Sequence, residues 1–341
     1  MKNIGIKISL YLNYFVFAIL LNSVGIVISK SINVYFVTES QASVLEAFKD
    51  LPIAIVSFFI ASFLPRFGYK KGMLVGLAIV FFGCLQMVFG NAFLYTKILF
   101  LSIGVSFALI KLSVYSLIGI ITNSKKEHAA LMSSIEGFFM VGIAFAYILF
   151  PAFYSDDVNS WLNVYYVLCV LIAISFVFLL FSKVEYQVES SASTLKEDLI
   201  QSVKLIIVPL VLVFIISAFL FVMIEQGIMT WLPRFNEKIF LFSENLSVQM
   251  AVIFALSLAL GRFIAGFLTK RMPWVYLVII CIVISGGILL GVLPQLSENI
   301  ETLSIIENTT DVPVLGFILP LIGLFIAPIY PLLNSTVLSS L

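Results

Sequence analysis

Ten stretches of about twenty mostly apolar residues follow one another along this chain, and that repetition restricts its fold more than any other feature. A run of this length wound as a helix crosses roughly 30 Å of hydrocarbon. The stretches lie near 7–31, 43–64, 73–92, 98–122, 135–154, 161–182, 205–232, 246–268, 273–294 and 313–337. Only 11% of the 341 residues are charged and 62% are hydrophobic, whereas a soluble domain carries roughly 25% charged residues. Too few polar side chains remain to cover a water-facing surface. The expected fold class is therefore an all-α polytopic membrane protein solvated by the lipid bilayer. A soluble enzyme, a nucleic-acid binder and a disordered chain are excluded, and a net charge of +1 offers nothing to a polyanion.

Cysteine and histidine usage narrows the chemistry. Cys84, Cys169 and Cys281 each sit in an apolar stretch and read as small buried side chains. The single histidine, His128, lies in a short Lys-rich segment, so no His/Cys metal site is expected. No nucleophile elbow, Walker A loop or dinucleotide fingerprint is present. The chain is expected to be no enzyme and to use no cofactor or metal. The first stretch follows Lys2 and Lys7, but it exceeds a signal-peptide core and lacks a small-x-small cleavage site. It reads as a retained helix.

Lysine and arginine placement sets the expected orientation. With the N-terminus inside, the inner segments hold Lys2, Lys7, Arg66, Lys70, Lys71, Lys125, Lys126, Lys183, Lys196, Lys204, Arg262, Lys270 and Arg271. The outer side holds only Lys30, Lys49, Lys97, Arg234 and Lys238, and Lys111 falls inside a stretch. The N-terminus is expected to be cytoplasmic, in a plasma membrane of the bacterial inner-membrane kind. The longest polar segment, 183–204, separates six stretches from four. It reads as a cytoplasmic linker between a six-helix bundle over 1–182 and a second bundle over 205–341.

The two halves share a sequence pattern. Phe59-Ile60-Ala61-Ser62-Phe63-Leu64 ends the second stretch, and Phe263-Ile264-Ala265-Gly266-Phe267-Leu268 ends the eighth. Both runs lead into a short basic segment, and a shift of six helices relates them, as a parallel duplication requires. The segment Ala61-Ser-Phe-Leu-Pro65-Arg66-Phe67-Gly68-Tyr69-Lys70-Lys71 resembles the loop between helices 2 and 3 of the major facilitator superfamily. Arg66, Gly68 and Lys70 match that motif, whereas Ala61 replaces its glycine and Pro65 its aspartate. The aspartate's conformational role is therefore not carried over, while Arg66, Gly68, Lys70 and Arg262 become candidates for a gating role. Gly261-Arg262-Phe-Ile-Ala-Gly-Phe-Leu-Thr-Lys270 is similar to the second copy. Glu225-Gln-Gly227 and Pro328-Ile-Tyr330-Pro331 make the chain similar to the branch containing fucose permease. The resemblance implies twelve helices in two bundles, with helices 1, 4, 7 and 10 lining the cavity. On that pattern the last two of twelve are missing, and the sequence reads as part of a longer frame.

Charges inside the stretches need a reason, since each costs about 2.5–3.5 kcal/mol at the bilayer centre. Lys111 lies in the fourth stretch and reads as a cation for substrate or for a titrating acid, against a fixed ion pair. Glu46, Lys49 and Asp50 fall on one helical face at the start of the second stretch. One acid there either pairs with Lys49 or carries a coupling proton. Glu225 has no partner four residues away, since Phe221 and Met229 are apolar, and it is the third proton-coupling candidate. Glu136 reads as a carboxylate at a helix N-terminus, and Arg262 as a gate or lipid-interface charge. Asn22, Tyr115, Gln226 and Asn334 are candidate hydrogen-bonding groups for substrate, with interhelical contact as the alternative. Trp161, Trp231 and Trp274 read as interface anchors.

The expected function is secondary active transport of a small polar solute by a monomer, by alternating access and with proton symport. Organic-anion uptake or efflux on the same fold is the alternative within transport. A non-transporting membrane scaffold or receptor is the alternative outside it.

Overall fold

Along the apolar stretches the backbone closes its own hydrogen bonds as α-helix, the form that leaves no polar group facing hydrocarbon. The computed structural model describes residues 4–122, 124–183, 208–269, 271–298 and 305–340. The chain divides into two compact units, Met1–Asp198 and Leu199–Leu341. Most of the expected linker 183–204 lies outside the described residues.

In the first unit the helices are α1 (Ile4–Asn22), α2 (Val24–Tyr35), the short α3 (Glu39–Ala42), α4 (Val44–Phe67), α5 (Tyr69–Phe89), α6 (Phe93–Ile121), α7 (Lys125–Leu149) and α8 (Val164–Phe181). In the second they are α9 (Pro209–Ile239), α10 (Glu244–Leu268), α11 (Trp274–Glu298), α12 (Val314–Ile318), α13 (Gly323–Ile326) and α14 (Ile329–Ser340). Among the described residues nine helical segments are long and apolar enough to cross a membrane, with α1 and α2 forming one and α12 to α14 contributing to another. Helix α4 occupies the second expected stretch and opens with the charged Glu46, Lys49 and Asp50. Rows of large apolar side chains face outward, among them Phe82, Phe181, Phe219, Phe263 and Leu290. Such a surface suits lipid and not water.

Several boundaries move from their expected places. The first crossing runs to Tyr35, so Lys30 lies within a helix and not in an outer loop. It is buried, with Nζ 3.6 Å from the centroid of the Tyr154 ring. The seventh helix passes through Pro233 to Ile239 instead of stopping at 232. Proline withdraws one donor, and here Thr230, Leu232 and Asn236 bury that part of the helix in protein. Trp161 is not an interface anchor. It is fully buried between the rings of Tyr35 and Tyr165, because the chain turns through Ser160–Asn163 before α8 and carries the indole inward.

Two crossings are irregular for visible reasons. Between α1 and α2, Asn22 Nδ2 donates to Ala18 O at 2.8 Å and Ser23 Oγ donates to Leu20 O at 2.7 Å. Such side chains compete with the helical ladder. The last crossing strings α12, a 3-10 turn over Leu319–Ile322, α13 and α14 together around Pro320 and Pro328. Its irregular backbone is tolerated where Leu319, Pro320, Ile322 and Ala327 are buried.

Each unit packs its repeated helices alike. In the first unit α4 lies against α6, and a Cβ on Gly104 of α6 would meet the Lys49 carbonyl of α4. In the second unit α10 lies against α13, and a Cβ on Gly261 would meet the Leu324 backbone. The second helix thus meets the fourth and the eighth meets the tenth, as a shift of six requires. Helices α4 and α5 are joined by Gly68 alone, whose φ of 103° is a region that side-chain-bearing residues rarely adopt. Beside it, Lys70 Nζ donates to the carbonyls of Leu180 at 2.9 Å and Ser182 at 2.8 Å. A cation there satisfies the unpaired carbonyls ending α8. At the N-terminal end of α1, Lys7 pairs with Glu127 at the start of α7, 3.2 Å apart.

Replacing Gly104 by Ala is expected to force α4 and α6 apart and to cost about 1–3 kcal/mol. Gly286, whose added Cβ would meet no atom within 4 Å, is expected to accept Ala without loss. Thermal unfolding of the two variants in detergent checks the contrast.

Candidate functional site

On α6, Phe107, Lys111 and Tyr115 recur at a spacing of four and share one face. Lys111 Nζ stands 5.8 Å from the Phe107 ring centroid and 5.9 Å from that of Tyr115, at the outer range of a cation–π contact. The side chain is exposed well inside a 29-residue helix and forms no ion pair among the described residues. An ammonium facing hydrocarbon there would carry the full insertion cost. Water around it is the less costly environment.

Tyr115 extends this face to α7, donating its hydroxyl to Glu136 Oε1 at 2.7 Å. Glu136 does not sit at a helix N-terminus. The helix in fact begins at Lys125, Glu127 occupies its first turn, and Glu136 lies about three turns into the helix, half-buried. From α1, Tyr14 brings its ring to 6.2 Å from Tyr115 and 5.7 Å from Phe139. Tyr14 is 1% exposed, packed beside Tyr115. Phe107 closes the cluster against Phe17 at 5.8 Å and Phe139 at 6.5 Å. Three helices therefore bring a cation, a carboxylate and two phenols together within an aromatic wall.

Other candidates of the first unit are placed differently. Lys49 is only 3% exposed, and its Nζ is 3.5 Å from Asp50 Oδ1. Asp50 is open to its surroundings, while Glu46 is half-buried and its carboxylate forms no hydrogen bond or ion pair among the described residues. The Asn22 amide nitrogen is engaged by its own helix. Arg66 is exposed in the last turn of α4, where a cation suits the helix end.

The second unit holds a different arrangement. Glu225 of α9 accepts from Arg262 Nη2 of α10, 2.9 Å from Oε1. Both side chains are sheltered, with 10% of Glu225 and 34% of Arg262 exposed. Arg262 is thus not a free lipid-interface charge, and the partner that Glu225 lacks on its own helix comes from the next one. Tyr330 of α14 stacks on Phe221 of α9 at 5.7 Å and lies 6.3 Å from Phe214. Gln226 and Asn334 are half-buried. Asn236, not singled out from sequence, is buried and donates from Nδ2 to Ser247 O at 3.0 Å.

Sequence reasoning also missed Tyr14 and the position of Glu136. Their shared signal is a polar group on each of three apolar helices, which no spacing along one helix connects. The three cysteines are buried and free. Among the described residues no three His, Cys, Asp or Glu side chains group as metal ligands.

The profile of the Major Facilitator Superfamily matches residues 8–341. Solved structures with the same fold include a bacterial homologue of the human lysosomal transporter Spinster in an inward-facing, unoccupied conformation. It is 14% identical, with a TM-score of 0.70, over 97% of this chain and 74% of that one. The xylose transporter XylE from E. coli, in a partially occluded inward-open conformation, is 14% identical with a TM-score of 0.64, over 100% and 87% of the two chains. The E. coli fucose:proton symporter FucP is 13% identical with a TM-score of 0.66, over 98% and 84%. No curated protein sequence matches the chain.

Glu225 and Arg262 are expected to behave as one unit in stability. Removing either partner alone leaves a sheltered charge uncompensated and is expected to cost about 3–5 kcal/mol, whereas replacing both by apolar residues costs less than the sum. A double-mutant cycle on Glu225→Leu and Arg262→Leu, read by chemical unfolding, checks this.

Proposed function

Since the chain belongs to the Major Facilitator Superfamily, we propose that it is a secondary active transporter that carries a small polar solute together with protons by alternating access. Members of this family bind small-molecule substrates. The observation that carries the reading is Lys111, a membrane-depth cation that is exposed yet unpaired among the described residues, beside the polar faces of Tyr115 and Glu136. A purely structural lysine would be paired or buried against protein, as Lys49 is. An ammonium left open at that depth is suited to a group that arrives and leaves.

Glu225 is the preferred proton carrier over Glu46 and Asp50. Its ion pair with Arg262 joins two helices, so protonating the carboxyl removes the charge that holds them together. Deprotonation restores the contact. A proton is thereby linked to a change in helix packing, which is what coupling requires. Asp50 lies beside a lysine on its own helix, and its titration would move no second element. The Lys and Arg distribution supports a cytoplasmic N-terminus.

The test uses proteoliposomes loaded with a pH-sensitive dye and a panel of sugars, amino acids and organic acids. At least one solute is expected to draw protons inward. For one proton per solute, a gradient of about one pH unit sustains about tenfold accumulation. Glu225→Gln is expected to keep solute counterflow and lose that accumulation. Uptake unchanged after the pH gradient is collapsed would overturn the coupling.

A further inference from the structure

We infer that the solute is a zwitterion bearing both a carboxylate and an ammonium group, and that Lys111 and Glu136 of the first unit receive its two charged ends on either side of Tyr115. This rests on the reading of the chain as a transporter of small polar solutes. It adds Glu136 to the binding residues and names the substrate class.

Charge balance favours such a solute. Lys111 and Glu136 both belong to the Tyr115 cluster, the first through its ring and the second through its hydroxyl. They form no ion pair with each other or with another group among the described residues. At membrane depth each isolated charge is costly. A neutral sugar would leave both uncompensated. A simple anion would match Lys111 but meet repulsion from Glu136, and a simple cation would reverse the problem. A solute with both groups satisfies the two ends at once, with no net charge added.

The neutral donors fit the same solute. Glu136 has one oxygen occupied by Tyr115, leaving acceptor capacity for an ammonium. The Tyr14 ring, buried beside Tyr115, fixes one wall of the same cluster. Phe107 and Phe139 offer apolar ring surface for the uncharged part of the solute.

The test measures thermal stabilisation of the purified full chain, and counterflow in proteoliposomes, with four sets of probes. These are the twenty standard amino acids, the matching acids lacking the amine, the matching amines lacking the carboxylate, and the neutral sugars D-xylose and L-fucose. At least one amino acid is expected to bind about tenfold or more tightly than either truncated analogue. Lys111→Gln is expected to erase the preference over the amine, and Glu136→Gln the preference over the acid. Retained binding of the truncated analogues shows that the variants are folded. The inference is overturned if no amino acid binds, if an acid or sugar binds as tightly as the best amino acid, or if Glu136→Gln keeps the full preference. Proton-coupled uptake of a sugar alone defeats this inference and leaves the transporter reading intact. Amino-acid exchange without proton movement defeats the coupling and leaves the zwitterion site standing.

Discussion

Hydrocarbon offers no hydrogen-bonding partner, so every backbone amide placed in it must be satisfied by the chain itself. Helix satisfies the amides for most of each crossing, and the exceptions sit where protein covers them. The break at Ser23 is buried, and so is most of the irregular turn through Leu319–Ile322. Close helix packing provides that cover, and close packing in lipid depends on small residues because lipid tails are as apolar as the side chains they would replace. Gly104 and Gly261 fill this role at corresponding helix pairs, from the fourth helix in one unit and from the eighth in the other.

The same solvent makes each charge in a crossing a separate problem, and three lysines reach three solutions. Lys30 is buried over the ring of Tyr154. Lys49 is buried and meets the adjacent Asp50. Lys111 is exposed with only ring edges and faces nearby. The first two are met by the protein's own groups, whereas the third has two rings near it and no ion pair among the described residues. The acids divide in the same way. Glu225 is compensated by Arg262, whereas Glu136 receives only a neutral phenol. How each charge is compensated thus depends on what surrounds it and not on residue type.

Much of the fold was legible in the sequence because length and apolarity are one-dimensional properties. The ten stretches, the motif around Gly68 and the shift of six all depend on neighbours along the chain. The placement of Glu136 failed because apolar stretches mark what hydrocarbon accepts, whereas a helix can begin earlier in polar residues. Here α7 starts at Lys125, with Ser124 accepting from the Glu127 amide as its cap. Trp161 failed for a related reason, since proximity to a helix end does not say whether the ring turns outward or inward.

The sequence by itself determined that this protein is a polytopic helical membrane protein and that Lys111 and Glu225 lie within its helices. The hydrophobic effect and the hydrogen-bonding demand of the backbone act on any apolar run of sufficient length. Only the tertiary structure decided which of those residues meet. Pairing Glu225 with Arg262, and joining Tyr14, Tyr115 and Glu136 across three helices, depends on helix rotation and close approach. Those are set by interlocking side chains whose partners are far apart in the chain, and no periodicity within one helix records them.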